Sequence, residues 1–201
     1  MDMIRTLAQE LGIKTGQADA AVKLIDEGNT IPFIARYRKE VTGALNDEVL
    51  RNLYERLNYL RNLEEKKEQV IGSIEEQGKL TPELKKQILE AQTLVAVDDL
   101  YRPYRPKRRT RAIIAKERGL EPLANILSLQ QTAKTMEEEA KAYINIEKDV
   151  ETVEDALAGA MDIVAEAISD EAQYRQYIRD ITMKKGVLSS EAKDADEESV
   201  Y

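Results

Sequence analysis

The chain has 201 residues, a formal net charge of −8, 42% hydrophobic and 34% charged residues, and neither cysteine nor histidine. Those absences remove disulfides, thiolate nucleophiles, imidazole bases and the usual zinc ligand sets, and with them most familiar catalytic constellations; no enzymatic activity, cofactor or metal site is expected. The segment Met1 to Glu10 carries Asp2, Arg5 and Glu10, and no run approaches the roughly 20 apolar residues of a membrane span, so a cytoplasmic protein without membrane contact is expected.

In chain order almost every segment reads as helix. Ile4, Leu7 and Leu11 share one face, and Gly12 stands where a left-handed cap ends the helix. Thr15 is placed to cap a second helix with Ala18, Ala21, Val22 and Ile25 as its apolar face and Gly28 as its stop, which completes a helical hairpin resembling a helix-turn-helix. Its second helix, however, carries Asp19, Asp26 and Glu27, which suit a phosphate-lined groove poorly, so packing is its expected role. Pro32 suits the first turn of a short third helix that contains Phe33, Ile34 and Tyr37.

Asn46 then opens the longest element, running from Asp47 to about Gln77 without a proline, with Leu50, Leu53, Leu57, Leu60, Leu63, Val70, Ile71 and Ile74 at helical spacing. After Gly78, Thr81 and Pro82 restart the chain with a cap and a first-turn proline, and Leu84 and Ile88 face inward. Pro103 and Pro106 forbid regular helix across Arg102 to Arg109. Thr110 caps a short helix ending at Gly119, and Pro122 begins another that carries Leu123, Ile126 and Leu127.

Thr135 with Glu138, and Thr152 with Asp155, form capping boxes for two more helices. The second presents Val153, Ala156, Leu157, Ala160, Val164 and Ile168 on one face, and the small Ala158 and Gly159 admit a close neighbour. In the helix from Asp170 to Lys185, Tyr174, Tyr177, Ile178 and Ile181 are expected to face inward and Gly186 to cap the end. Residues 187–201 have the acidic composition of a linker.

The expected fold is all-α, a multi-helix array with an N-terminal hairpin and one long central helix. Four parts follow: 1–45 (hairpin and short helix), 46–130 (long helix, shorter helices and a basic loop), 131–186 (C-terminal helices) and 187–201 (acidic linker).

Charge is divided unevenly along this array. Residues 101–118 hold 8 basic and 1 acidic residue, whereas 135–201 hold 7 basic and 18 acidic. Six of the ten residues from Arg102 to Arg111 are cationic: Arg102, Arg105, Lys107, Arg108, Arg109 and Arg111, with Tyr104 among them. A proline-stiffened strip of this kind can follow a phosphate backbone while tyrosine stacks on a base. The same cations can instead pair with carboxylates of neighbouring helices or of a protein partner. Acids cluster at Asp98 and Asp99 and at Glu137 to Glu139. Adjacent acids on one helix diverge rather than converge on a metal, so these are read as a solvated face and as a helix N-terminus that favours negative charge.

The blocks IPFIARYRKEVTGALNDEVL (Ile31 to Leu50), EEQGKLTPELKKQI (Glu75 to Ile88), DDLYRPYRPKRRTRAIIAKERGLEPLA (Asp98 to Ala124) and EDALAGAMDIVAE (Glu154 to Glu166) resemble the N-terminal region of the bacterial Tex family of transcription accessory proteins. The resemblance implies a piece of a larger protein in which a ribonuclease-H-like domain, a helix-hairpin-helix module and an S1 domain follow, with the S1 domain as the principal RNA and DNA binder. It also places the family's basic loop on Arg102 to Arg111 and a second cationic spot on Arg36, Tyr37, Arg38 and Lys39. Two functions remain open. One is a scaffold region with auxiliary, non-specific phosphate contacts to RNA or DNA. The other is a docking module for the transcription machinery or for further domains of the same protein, with no nucleic-acid contact.

Overall fold

A computed structural model of the protein describes residues 2–106 and 108–191. Among them there are twelve α-helices and no strand. The chain divides into two compact units, Met1–Asp98 and Asp99–Tyr201.

The first unit opens with α1 (Met3–Leu11) and α2 (Thr15–Asp26), which pack on each other as a hairpin. Gly12 takes φ +64°, the left-handed cap expected of it. Thr15, expected to cap α2, is its first residue instead, because Gln17 Oε1 accepts from the Lys14 backbone N–H at 3.1 Å and moves the cap one position earlier. The short helices α3 (Ile31–Tyr37) and α4 (Lys39–Thr42) follow.

Helix α5 (Asp47–Glu76) has 30 residues and, at about 1.5 Å per residue, is roughly 45 Å long. Its start is fixed by Asn46, whose side chain accepts from the Val49 backbone N–H at 2.8 Å. Leu50, Leu53, Leu57 and Leu60 bury one stripe against Leu7, Ala18, Ala21 and Ile34 of α1, α2 and α3. Two ion pairs reinforce that packing, Arg56 to Glu10 on α1 and Arg61 to Asp26 on α2. Asp26 of α2 thus faces α5 rather than standing free.

Further along α5, Lys67 is 1% exposed. Its ammonium donates to Glu64 Oε1 and to the Leu89 carbonyl of α6 (Pro82–Glu90), each at 2.9 Å, so the buried charge is paired. The hydrogen bond from Lys67 also holds the Glu64 carboxyl below the ordinary glutamate range. Helix α7 (Leu94–Tyr101) carries the boundary between the units.

In the second unit a single turn of 3₁₀ helix, Arg102–Tyr104, is followed by no regular element up to Thr110 among the described residues. Then come α8 (Arg111–Glu117), α9 (Glu121–Leu129), the short α10 (Met136–Ala140), α11 (Val153–Asp170) and α12 (Ala172–Lys185). The caps at Thr81, Thr110, Thr135 and Thr152 all form. Helix α11 packs on α8 and α9 around Ala112, Ala115, Leu120, Leu123, Ala156, Ala160 and Ile163.

Three expectations at the C-terminal end fail. Ile168 of α11 is exposed, and Tyr174, Tyr177, Ile178 and Ile181 of α12 lie open to solvent, at 54%, 65%, 64% and 38% exposure. Arg175 and Arg179, which flank that stripe on α12, make the contact instead, with Asp99. Gly186 takes φ −65° rather than a left-handed cap. Residues 192–201, most of the acidic linker, lie outside the described residues.

Close approach at Gly159 is tightly set: an added β-carbon would collide with the buried Leu120 side chain and stand 3.3 Å from the Ala115 methyl. Gly159→Val is therefore expected to destabilise the second unit by about 1–3 kcal/mol through overpacking, read as a lowered urea midpoint.

Candidate nucleic-acid interface

The basic loop is less free than its charge suggests. Arg102 Nε donates to Asp170 Oδ1 at 2.8 Å, and the Asp170 side chain is only 11% exposed. Arg109 pairs with Glu117 at 2.8 Å, and Arg111 with Asp162 at 3.4 Å. The Arg102 pair is part-buried and fixes the root of the loop. The other two involve arginines 70% and 85% exposed, and ion pairs so open to water contribute roughly 0–1 kcal/mol. A phosphate can replace such a carboxylate at little cost.

Arg105 and Arg108 are exposed, and neither meets a carboxylate among the described residues. With Arg102, Thr110, Glu166, Ser169 and Asp170 they line a cleft of about 370 Å³. The loop thus folds into a cleft at Arg102, Arg105 and Arg108, and Arg109 and Arg111 do not line it. Tyr104 is half-buried. Lys107 lies outside the described residues.

The second cationic spot is the more open one. At the end of α3, Arg36, Tyr37 and Lys39 are exposed and Arg38 is half-buried. No carboxylate pairs with Arg36, Arg38 or Lys39 among the described residues. Arg38 donates to the Tyr37 carbonyl at 3.1 Å and lies over the Phe33 ring, 5.0 Å from its centre. The Phe33 and Tyr37 ring centres are 5.3 Å apart, and the Arg36 guanidinium is 6.0 Å from the Tyr37 ring. The cations of this spot are legible in the sequence one by one, whereas the stack is signalled only by the spacing of four between Phe33 and Tyr37 on a helix.

Asp99 corrects another expectation. Read from sequence as part of a solvated face, it is 6% exposed. Arg175 Nε and an Arg179 amine donate to its two oxygens, each at 2.7 Å. Burial alone would raise the Asp99 carboxyl, but hydrogen bonds from Arg175 and Arg179 outweigh it and leave the group below its usual range. Asp98 remains half-exposed and pairs with Lys66 at 3.2 Å. Glu137, Glu138 and Glu139 occupy the first turn of α10, as expected. Among the described residues no group of three or more acidic side chains is placed to hold a metal ion, and no helix is long and apolar enough to cross a membrane.

Residues 1–75 match the family model for the Tex-like protein N-terminal domain, and residues 131–200 match the Tex central region-like model. The chain belongs to the Tex family. It is 49% identical over 180 residues to the transcriptional accessory protein Tex of Neisseria gonorrhoeae, covering 90% of this chain and 23% of that protein. It is 46% identical over 199 residues to the YdcI protein of Bacillus subtilis (strain 168), covering 97% of this chain and 28% of that protein. The S1 RNA-binding domain-containing protein 1 of Homo sapiens is 30% identical over 188 residues, covering 92% of this chain and 18% of its own length. The chain therefore spans under a third of the length of these Tex relatives.

Asp99 gives a pH-dependent test of how α12 is held. A carboxylate with a depressed folded-state pKa contributes stability that is complete above the ordinary aspartate value of about 3.9 and is lost as pH falls through the depressed value. Asp99→Asn is expected to cost about 1.5–3 kcal/mol at neutral pH. That difference from the unsubstituted chain should close only in acid below the ordinary aspartate range, as followed by urea denaturation across a pH series.

Proposed function

We propose that this chain is the helical scaffold region of a transcription accessory protein, acting without catalysis and adding non-specific phosphate contacts to RNA or DNA. The observation that carries this reading is the convergence of Arg105 and Arg108, each without a carboxylate partner among the described residues, on one cleft with Arg102. The names of two relatives, a transcriptional accessory protein and an S1 RNA-binding domain-containing protein, support it. Helices α8 and α11 and the Arg102–Asp170 pair hold the loop, and the two outward arginines enlarge the attraction. Arg109 and Arg111 exchange Glu117 and Asp162 for phosphate when a polyanion arrives. Arg105 and Arg108 take phosphates rather than base edges, so the contact reads charge rather than sequence.

A second reading, docking to the transcription machinery or to further domains of the same protein, is favoured by one observation: the open stripe Tyr174, Tyr177, Ile178 and Ile181 along α12. Large exposed apolar faces commonly mark interaction surfaces. The two readings differ in what the chain does alone. The first expects it to retard RNA at low salt; the second expects no retardation.

Replacing Arg105 and Arg108 together by Ser is expected to reduce the slope of log affinity against log salt by about 0.9 per lost phosphate contact on duplex DNA and about 0.7 on single strands. Fluorescence anisotropy at several salt concentrations checks this. An unchanged slope removes the cleft from the interface.

A further inference from the structure

The corner where α3 meets α4 combines two properties that the basic loop does not combine: cations without carboxylate partners and an aromatic ring open to solvent. Tyr37 is 55% exposed. Its position is nevertheless defined, because α3 is anchored by Ile34, which is fully buried, and by Ile31 and Ala35, which pack on the core of the first unit. Arg38, Phe33, Tyr37 and Arg36 succeed one another as cation, ring, ring and cation, with separations of 5.0, 5.3 and 6.0 Å. Guanidinium groups held over rings keep their N–H edges available to acceptors. Lys39 adds an exposed ammonium beside them, and the neighbouring carboxylate of Glu40 pairs with none of the three cations among the described residues.

This chemistry fits one class of ligand. An exposed ring flanked by unpaired guanidinium and ammonium groups offers a π-face to a base and positive charge to the phosphates on either side of it. In a duplex the base faces already stack on one another, so only an unpaired strand can present a base to such a ring.

We propose that Arg36, Tyr37, Arg38 and Lys39, backed by Phe33, form a binding site for single-stranded nucleic acid. Tyr37 stacks on one base, Arg36 and Lys39 take the flanking phosphates, and Phe33, covered by Arg38, backs the Tyr37 ring. The site rests on the reading of this region as nucleic-acid-associated and deepens it: the loop cleft reads charge alone, whereas this corner distinguishes single strands from duplex.

The test uses the full 201-residue chain, a labelled oligouridylate and a labelled duplex DNA of equal length, with affinities measured by anisotropy at low salt. Tyr37→Ala is expected to weaken oligouridylate binding about ten-fold and leave duplex binding unchanged, in keeping with the contribution of one stacked base. Tyr37→Phe should restore the affinity, and Tyr37→Leu, which keeps the apolar bulk without the π-face, should not. Helicity by circular dichroism confirms that each variant is folded. Arg36→Ser with Lys39→Ser should lower the salt slope on the single strand by about 0.7 per phosphate. Oligouridylate affinity unaltered by Tyr37→Ala, together with a response to Arg105→Ser and Arg108→Ser, overturns this site and leaves the loop cleft standing. Absence of binding by the unsubstituted chain to either probe overturns both.

Discussion

Carboxylates outnumber cations in this chain, 38 to 30, and where each carboxylate lands decides which cations are left to face a polyanion. Asp170, Glu117 and Asp162 reach Arg102, Arg109 and Arg111; Glu10 and Asp26 reach Arg56 and Arg61; Asp99 engages Arg175 and Arg179 together. Arg105 and Arg108 in the second unit, and Arg36, Arg38 and Lys39 in the first, stay outside this pairing among the described residues. The pairs also do mechanical work at three places: they fasten the hairpin to the long helix, fix the root of the basic loop and hold α12.

The two surfaces differ in kind. In the loop, positive charge is dense in sequence, yet folding couples part of it to acids and leaves a cleft. On the α3 corner charge is sparser but uncompensated, and it is layered with two rings. A surface potential read from composition ranks the loop first. Counting the charges that remain unpaired, and adding an exposed π-face, ranks the corner alongside it.

Much of the fold was legible in the sequence because its signals are local. Asn46, Thr81, Thr110, Thr135 and Thr152 each cap a helix using a backbone donor three residues away, and the leucines from Leu50 to Leu63 repeat with the period of the element that buries them. The stripe from Tyr174 to Ile181 has that same period and is exposed, since periodicity reports that residues share a face and not what covers the face. The misreading of Asp99 has a related cause. Its partners stand 76 and 80 residues away, and adjacency to Asp98 suggested a shared environment that the helix, turning about 100° per residue, does not give them. The site residues were legible as a list of cations, but their division into paired and unpaired ones depends on distant acids.

Lys67 carries one more consequence. Its amine is sealed between Glu64 and the Leu89 carbonyl, while Lys79, Lys85 and Lys86 stand in solvent. An acylating reagent would tag those surface amines at once and reach Lys67 only when α6 parts from α5. The chain thereby contains its own chemical clock for the breathing of that helix pair, readable by mass spectrometry one residue at a time.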